Sequence, residues 1–351
     1  MAVYFCVLAG VLLNCIIYEL NKEKKNAKKW LFLITTILLV FVSGFRYMVG
    51  TDYPTYKGLY NTYKTQKISI WDQPALYIIA RISAIIYDDY ATWFFIMAAI
   101  TISVIMIGIY KNGFSFWFSI LLYIFLGCWH ESFNIVKQYA GAALLFLGYG
   151  NISRGKFLNW MWYCLLAMTF HISALLMIPV YFLVRAKNIN IMHCLMMGLI
   201  IVFLSTITDN LFDLISELKQ NVGVTDKESG IATGAVKWQR ILVAGAPILF
   251  FLIFSSNYKS ETDKNFVVLF YLSLLNFLLY LFFGFQSIYL SRFCIYTNIF
   301  NVLFIPYLIK PFRKGEKILI MFLIITLYFI FWVYDLMKVP ELANFYWIWE
   351  R

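Results

Sequence analysis

Long apolar runs recur along the whole of this chain. Twelve runs are candidate membrane spans: residues 1–20, 30–49, 74–87, 91–110, 114–129, 135–149, 157–184, 189–208, 241–254, 266–285, 293–309 and 318–337. A helix crosses a bilayer with about 20 apolar residues. Charged residues make up only 13% of the chain, too few to cover the surface of a water-soluble globule. The sequence therefore predicts an all-α fold, a polytopic membrane helix bundle of about twelve transmembrane segments, with 1–351 as a single integral membrane domain and no soluble domain.

Basic residues outnumber acidic ones, 29 to 18. We attribute this excess to the positive-inside rule and to anionic lipid headgroups, not to nucleic acid. The first twenty residues lack a basic start and a small-residue cleavage site, so we do not expect a cleaved signal peptide. The six cysteines form no CxxC pair, so the sequence indicates neither a metal site nor a disulfide framework.

The distribution of lysines predicts the orientation of the spans. The lysine-rich run 22–29 is expected in the cytoplasm, which places the N-terminus outside. Two long outer loops follow, at about 50–73 and 209–240, and residues 210–220 of the second are expected to form a short amphipathic helix. The basic runs at 185–188 and 310–317 then lie inside. The same count places the link 130–134 on the cytoplasmic side, unless the short segment 74–87 does not cross.

Polar residues in or beside the spans are the candidates for chemistry, because each ionisable group costs about 2.5–3.5 kcal/mol to insert. Arg46 lies in the last turn of the second predicted span, and Asp52 follows past Gly50. An outward-facing arginine beside an acid makes a polar pocket at the membrane interface, and a planar guanidinium suits a phosphate or pyrophosphate group. The alternative is that Arg46 and Asp52 pair with each other and anchor the helix end.

Two further stretches carry polar residues at the start or in the middle of apolar runs. Asn134, Lys137, Gln138 and Gly141 share one helical face, which suggests a lined cavity. The alternative is a hydrated loop in which Lys137 extends to the interface. His171 lies near the middle of a long apolar run, where it is either a base near neutral pH or a hydrogen-bonded structural group.

Two more arginines and one acid complete the candidates. Arg292 falls on the predicted outer side, where a cation runs against the usual bias, and Arg240 is a weaker candidate of the same kind. Asp72 could form a further wall of an outer pocket. The sequence contains no nucleotide-binding glycine loop, HExxH, GxSxG or paired-aspartate metal motif. A lipid-linked, pre-activated substrate therefore fits better than a soluble sugar nucleotide with a bound divalent ion.

Taken together, these stretches resemble the EpsG family of Wzy-like polysaccharide polymerases. The resemblance is carried by Arg46 with VGTDY at 49–53, FNIVKQ at 133–138, FHISA at 170–174 and SRFCIY at 291–296. The four motifs stand in the family's order over roughly residues 40–300. Lys137 stands where the family usually has arginine, which keeps the charge but loses the bidentate fork.

The resemblance implies a GT-C-like membrane glycosyltransferase that needs no cofactor and no metal. It would join oligosaccharide repeat units carried on undecaprenyl pyrophosphate, at the outer face of the bacterial cytoplasmic membrane. Its partners would be the lipid-linked donor and acceptor, membrane lipid, and a flippase and chain-length regulator of the same pathway, with no nucleic acid.

The resemblance also assigns roles to individual residues. The cations Arg46, Arg292 and Lys137 would neutralise the leaving pyrophosphate. Either His171 or Asp52 would take the proton of the acceptor hydroxyl. Gln138 would contact the substrate, and Tyr53 would stack on a sugar. The remaining candidates rest on their own positions in the sequence: Asn134 as a substrate contact, and Arg240 and Asp72 as extensions of the pocket.

Three other functions compete with a polymerase. A glycan ligase would use the same donor and differ only in the acceptor. A membrane O-acyltransferase typically has an early histidine, whereas the first histidine here is His130. A lipid-linked sugar flippase would be expected to show paired halves, and the sequence contains no internal repeat.

Overall fold

The computed structural model describes residues 1–68, 73–221, 238–258, 263–283 and 292–351, with the backbone alone for 208–221 and 292. Helices dominate these residues. They are α1 (Ala2–Leu20), α2 (Ala27–Gly44), α3 (Tyr53–Thr65), α4 (Pro74–Ile86), α5 (Tyr90–Asn112), α6 (Phe116–Phe125), α7 (Cys128–Asn134), α8 (Val136–Gly148), α9 (Gly150–Ser153), α10 (Phe157–Met168), α11 (Met177–Val184), α12 (Ile191–Asn221), α13 (Trp238–Ile253), α14 (Lys264–Phe283), α15 (Ile295–Asn298), α16 (Asn301–Leu308), α17 (Lys314–Met337) and α18 (Pro340–Ala343).

The prediction of an all-α membrane helix bundle is confirmed. Among the described residues, five helices are long and apolar enough to cross a membrane: α1, α2, α5, α14 and α17. A sixth candidate is the pair α6 and α7, which bends by 45° at Gly127, where the backbone has a positive φ of 85°. Other predicted spans are shorter or broken; the run 157–184 is divided between α10, a 3₁₀ helix at Ile172–Leu176, and α11. The described residues therefore do not show twelve full-length spans.

Contacts group the chain into two compact units. The first unit comprises Met1–Ile178 and Phe312–Arg351, and the second comprises Pro179–Pro311. In the first unit α5 packs between α2 and α8, α10 packs on α8, and α17 packs on α6. Helices α5 and α8 approach closely because Gly108 has no side chain. A Cβ at this position would lie only 2.6 Å from the ring of Phe146.

The second unit is built around α14, which contacts α12, α13 and α16. Its buried Asn276 donates from Nδ2 to Thr297 Oγ1 at 3.0 Å, which satisfies a polar group inside an apolar bundle. Helix α12 runs on to Asn221. The first part of the predicted outer loop 209–240 is therefore a continuation of α12, and residues 210–220 are not a separate helix.

The helices of the first unit have two chemically different ends. At one end, which we call the Arg46 end, the guanidinium after α2 lies 5.0 Å from the ring of Phe94 in the first turns of α5. At the other, which we call the lysine end, Lys28 Nζ before α2 donates to Tyr110 O near the end of α5, at 2.9 Å. Helices α2 and α5 are therefore antiparallel.

The segment predicted as a span at 74–87 begins and ends at the Arg46 end. Ala75 N at its start donates to Thr169 O at 3.0 Å, and Phe170 packs in one cluster with Tyr53 of α3. Asp88, just after α4, accepts from Tyr60 OH of α3 at 2.9 Å.

The sequence left the side of the link 130–134 open, because that side depended on whether the segment 74–87 crosses. The position of α4 favours the alternative in which this segment does not cross, and the link then lies on the same side as the loop after α2. Phe133 O accepts from Arg46 Nη2 at 3.1 Å, so both segments lie at the Arg46 end. Residues 312–317 of the predicted basic run fall at the lysine end, because α17 packs on α6 and brings Asp335, near its other end, to His130.

Candidate functional site

The chain turns sharply after α2 and is held by the C-terminal segment. Residues Arg46–Tyr47 form strand β1, which pairs antiparallel with strand β2 at Tyr346–Trp347. Met48 and Gly50 follow with positive φ values of 53° and 103°. Glycine adopts this conformation at little cost. Gly50 N then donates to Glu341 O at 3.0 Å, so the VGTDY motif is tied to the end of the chain.

The VGTDY motif also contacts the FNIVKQ motif. A Cβ on Gly50 would lie 3.3 Å from Phe133 O and from Asn134 Cα, so the backbones touch because residue 50 has no side chain. Asn134 Oδ1 accepts from Thr51 Oγ1 at 2.8 Å and from Asp52 N at 2.7 Å. Asn134 thus holds Asp52 at the start of α3. This role is structural, whereas the prediction for Asn134 was a contact with the substrate.

Arg46 joins the same two segments from inside the bundle. Its Nη1 donates to Ser43 O, in the last turn of α2, and its Nη2 donates to Phe133 O near the end of α7. Both carbonyls belong to helix C-termini, where a cation interacts favourably with the helix dipole. The guanidinium lies 5.0 Å from the ring centroids of Phe94 and Phe133.

Arg46 was expected to face an outer pocket, but the structure buries it. Its side chain is 2% exposed, and its Nε has no partner among the described residues. The adjoining cavity of about 10 Å³ has space for no more than one water. Aromatic rings and helix-end carbonyls surround the guanidinium of Arg46, in place of the water expected around it.

Aromatic side chains of α3 form a cluster beside Arg46. Tyr53 stacks on Phe94 with ring centroids 4.2 Å apart and is fully buried, so its ring is not accessible to a sugar in this structure. Lys137 Nζ, half-buried in the first turn of α8, lies 5.8 Å from the ring centroid of Tyr56. Gln138 is buried, and its Oε1 has no partner among the described residues.

The sequence predicts that Asn134 shares a helical face with Lys137 and Gln138. This prediction is wrong. The chain breaks at Ile135, whose φ of −104° and ψ of 55° are not helical. Asn134 therefore ends α7, whereas Lys137 and Gln138 begin α8. The break lets Asn134 face the loop after α2 while Lys137 faces the tyrosines of α3.

His171 lies where the long apolar run 157–184 is interrupted. It is half-buried and caps the 3₁₀ helix Ile172–Leu176. Its Nδ1 is 2.5 Å from Ser173 Oγ and accepts from Ser173 N at 3.4 Å. The neighbouring Phe170 packs in the same cluster as Tyr53 and Tyr56. The FHISA loop thus borders the aromatic cluster on which the other two motifs converge.

Three further residues were predicted for the site: Asp72, Arg240 and Arg292. Asp72 lies outside the described residues. Arg292 begins a 3₁₀ helix of the second unit, with only its backbone described, and Arg240 is half-buried in the first turn of α13 in that unit. Their roles stay predictions.

Two buried polar pairs beside the site were missed as site features. His130 Nε2 lies 3.2 Å from Asp335 Oδ2, with both side chains almost fully buried. Tyr139 OH donates to Glu131 Oε2 at 2.5 Å. Both pairs position α7, whose end holds Arg46 and Asp52. Asp335 could have been found from the sequence, because it is an acid inside the apolar run 318–337.

The arrangement favours recognition of a polar substrate at the Arg46 end by hydrogen bonds and cations. Asp52 supplies a half-buried carboxylate, His171 an imidazole, and Lys137 a half-buried ammonium group. Within the described ranges, no three histidine, cysteine or acidic side chains lie close enough together to hold a metal ion.

Comparison with known proteins identifies the family. The chain matches the EpsG family over residues 29–348, nearly its whole length, which confirms the resemblance carried by the four motifs. No curated protein and no solved structure matches the chain. The match covers the VGTDY, FNIVKQ and FHISA segments that meet at the Arg46 end, and the chain belongs to the EpsG family.

Proposed function

We propose that this protein joins oligosaccharide repeat units carried on undecaprenyl pyrophosphate, at the outer face of the bacterial cytoplasmic membrane. Its family membership indicates a membrane polysaccharide polymerase, that is, a glycosyltransferase-like enzyme. The positive-inside rule assigns the lysine end to the cytoplasm, so the Arg46 end faces outward in this proposal. About twelve crossings and a GT-C-like architecture are part of the same proposal.

One observation carries the proposal: three motifs far apart in the sequence meet at one end of the bundle. The VGTDY loop contacts the end of α7 through Gly50, Asn134 and Arg46. The FHISA loop borders the same aromatic cluster through Phe170. Packing alone does not require a carboxylate, an imidazole and an ammonium group at the place where the motifs meet.

The proposed reaction is a displacement at the anomeric carbon of the donor sugar. The acceptor hydroxyl oxygen forms a bond to that carbon, and the bond from the carbon to the pyrophosphate oxygen breaks. The pair of electrons leaves with the lipid pyrophosphate, and the hydroxyl proton passes to a base of the protein. Catalysis then needs a base near the acceptor and cations near the leaving group.

Asp52 is the better candidate for the base. In the tautomer of His171 whose Nδ1 accepts from the N–H of Ser173, the ring proton sits on Nε2, which is then a donor. An imidazole in that tautomer hydrogen-bonds to a pyrophosphate oxygen more readily than it takes a proton. Asp52 carries a carboxylate held by Asn134 at the start of α3. We assign the proton transfer to Asp52 and stabilisation of the leaving group to His171.

The cations divide into a buried and an accessible set. Arg46 donates from Nη1 to Ser43 O and from Nη2 to Phe133 O, so we assign it to holding the VGTDY loop against α7. Lys137 is half-buried beside Tyr56 and is the proposed contact for pyrophosphate, with Arg292 as the second predicted cation. Gln138, Arg240 and Asp72 stay proposed substrate contacts.

The test is gel analysis of lipid-linked glycan in a strain that lacks the native gene and expresses each variant. Lys137→Ala and His171→Ala should accumulate single repeat units and make little polymer, with protein present in the membrane at the normal level. A matched control is Lys57→Ala, which removes an exposed ammonium group of α3. Full polymer in both site variants would contradict the proposal.

The same gel separates polymerase from ligase. A strain without the protein should hold single lipid-linked units if the protein is the polymerase. Full-length polymer that is not transferred to its final acceptor would indicate a ligase and would refute the proposed reaction.

A further inference from the structure

A polar cleft lies at the lysine end of the first unit, far from the candidate site. It has a volume of about 500 Å³, within the range of small-ligand sites. Three pairs of side chains from the ends of α5, α9 and α10 line it: Lys111 and Asn112, Asn151 and Arg154, and Asn159 and Trp162. Seventeen residues of α5 separate Lys111 from Phe94 beside Arg46, a distance of about 26 Å along the helix.

The lining of this cleft matches an anion. Two cations and three amides converge on it, and none of the described residues that line it is acidic. Neither Lys111 nor Arg154 forms an ion pair with any residue that the structure describes. The positive-inside rule explains cations at this end but not three asparagines from three helices. Amide N–H groups and a guanidinium are the donors that a phosphate group accepts from.

The exposed face of α10 indicates which phosphate compound binds. Leu158, Trp162 and Leu166 are 65%, 62% and 51% exposed and follow one another at four-residue spacing, so they form one apolar stripe. In a membrane protein such a stripe lies against acyl chains. Trp162 belongs both to the stripe and to the lining of the cleft. The cleft therefore opens beside lipid, at the level where α10 begins.

We propose that this cleft binds the phosphate headgroup of an anionic membrane lipid. The phosphate lies between Arg154 and Lys111, Asn112 and Asn159 complete its hydrogen bonds, and an acyl chain follows the stripe on α10. Asn151 Nδ2 donates to Gly148 O at 2.9 Å, so this buried asparagine shapes the wall of the cleft. Basic clefts between helices are a recurring way of holding anionic lipids at a cytoplasmic membrane surface. This site is separate from the proposed polymerase site, and either assignment can fail without the other.

The experiment is native mass spectrometry of the purified full-length protein, titrated with phosphatidylglycerol or phosphatidylcholine. We expect phosphatidylglycerol to bind about tenfold more tightly than phosphatidylcholine, the effect of roughly one charge-assisted hydrogen bond. Lys111→Gln combined with Arg154→Gln should remove this preference. Lys156→Gln is the matched control, because this exposed lysine lies in the same loop as Arg154 but does not line the cleft.

A second variant guards against a misfolded double mutant. Asn159→Asp changes one exposed residue and adds a carboxylate to the cleft, so it should also abolish the preference. Equal binding of both lipids by the wild type, or equal losses in Lys156→Gln and the double variant, would overturn the proposal. Binding of inorganic phosphate without binding of phosphatidylglycerol would overturn the assignment to a lipid.

Discussion

The two ends of the first unit use positive charge in opposite ways. At the Arg46 end the cation is 2% exposed, and its donors bind the carbonyls of two helix ends. At the lysine end Lys111 and Arg154 are exposed and line an open cleft. The chain brings residues from distant motifs together around the buried cation, whereas the two exposed cations sit at the ends of α5 and α9.

This difference separates two reasons for a cation at the end of a membrane helix. An exposed lysine or arginine sets orientation and meets headgroups, and its surroundings remain tolerant of change. A buried arginine is tolerated only where backbone carbonyls and aromatic faces replace its water. The buried cation therefore depends on the positions of its neighbours, and substitutions of the cations at the two ends should have very different effects on stability.

The largest expected effect is on activity at the Arg46 end. Asp52→Asn keeps the shape of the side chain and its backbone bond to Asn134 but removes the basic carboxylate. We expect polymerisation to fall by about 10²- to 10⁴-fold, as for loss of a general base. The measurement is the initial rate of polymer formation by purified protein with lipid-linked repeat units.

Asp88→Asn is the control for that change. Asp88 also lies at the Arg46 end, just after α4, but pairs with Lys64 at the surface. Its rate should equal that of the wild type. If both variants lose the same activity, the carboxylate of Asp52 has no special role and the proposed base is wrong.

The next effect is on stability and compares the two kinds of arginine directly. Arg46→Ala leaves Ser43 O and Phe133 O without their donor and opens a cavity, and should lower the free energy of unfolding by about 2–4 kcal/mol. Arg154→Ala should change it by no more than about 0.5 kcal/mol, as for an exposed residue. Unfolding in detergent micelles measures both. Similar values for the two variants would mean that burial of Arg46 is not what stabilises the loop.

The sequence was sufficient to predict the fold class, the family and the lysine end. Each rests on information that is local or cumulative: apolar runs, the lysines at 22–29 and the order of four motifs. The sequence also identified the segments that meet at the site. It did not predict that Gly50 and Asn134 touch, because a contact between residues 84 positions apart leaves no periodic pattern along the chain.

The errors have physical causes of the same kind. Residues 74–87 were apolar enough to suggest a span, but α4 has only 13 residues, and both of its ends lie at the Arg46 end of the bundle. Arg46 was expected to face solvent because the sequence does not show that Phe94 and Phe133 cover it. Asp335 was overlooked because its partner, His130, lies 205 residues away.

A smaller effect is expected for the glycine that joins the motifs. Gly50→Ala forces a Cβ into a position with φ of 103° and within 3.3 Å of Phe133 O, and should cost about 1–3 kcal/mol. Gly58→Ala is the matched change, because Gly58 lies in α3 with nothing within 4 Å of its Cβ. It should stabilise the protein by about 0.5–1 kcal/mol. The opposite order of the two melting temperatures would contradict the contact between the motifs.

The smallest effect tests whether location or burial makes the Arg46 end sensitive. Lys64 lies at that end, where its Nζ is 2.8 Å from Asp88 Oδ1, and the two side chains are 25% and 55% exposed. If every charge at that end were structural, Lys64→Ala would be as harmful as Arg46→Ala. Exposed ion pairs contribute little because water competes for both partners. We expect the melting temperature of Lys64→Ala to stay within about 1 °C of the wild type. A shift as large as that of Arg46→Ala would show that sensitivity follows the end of the bundle rather than the burial of the charge.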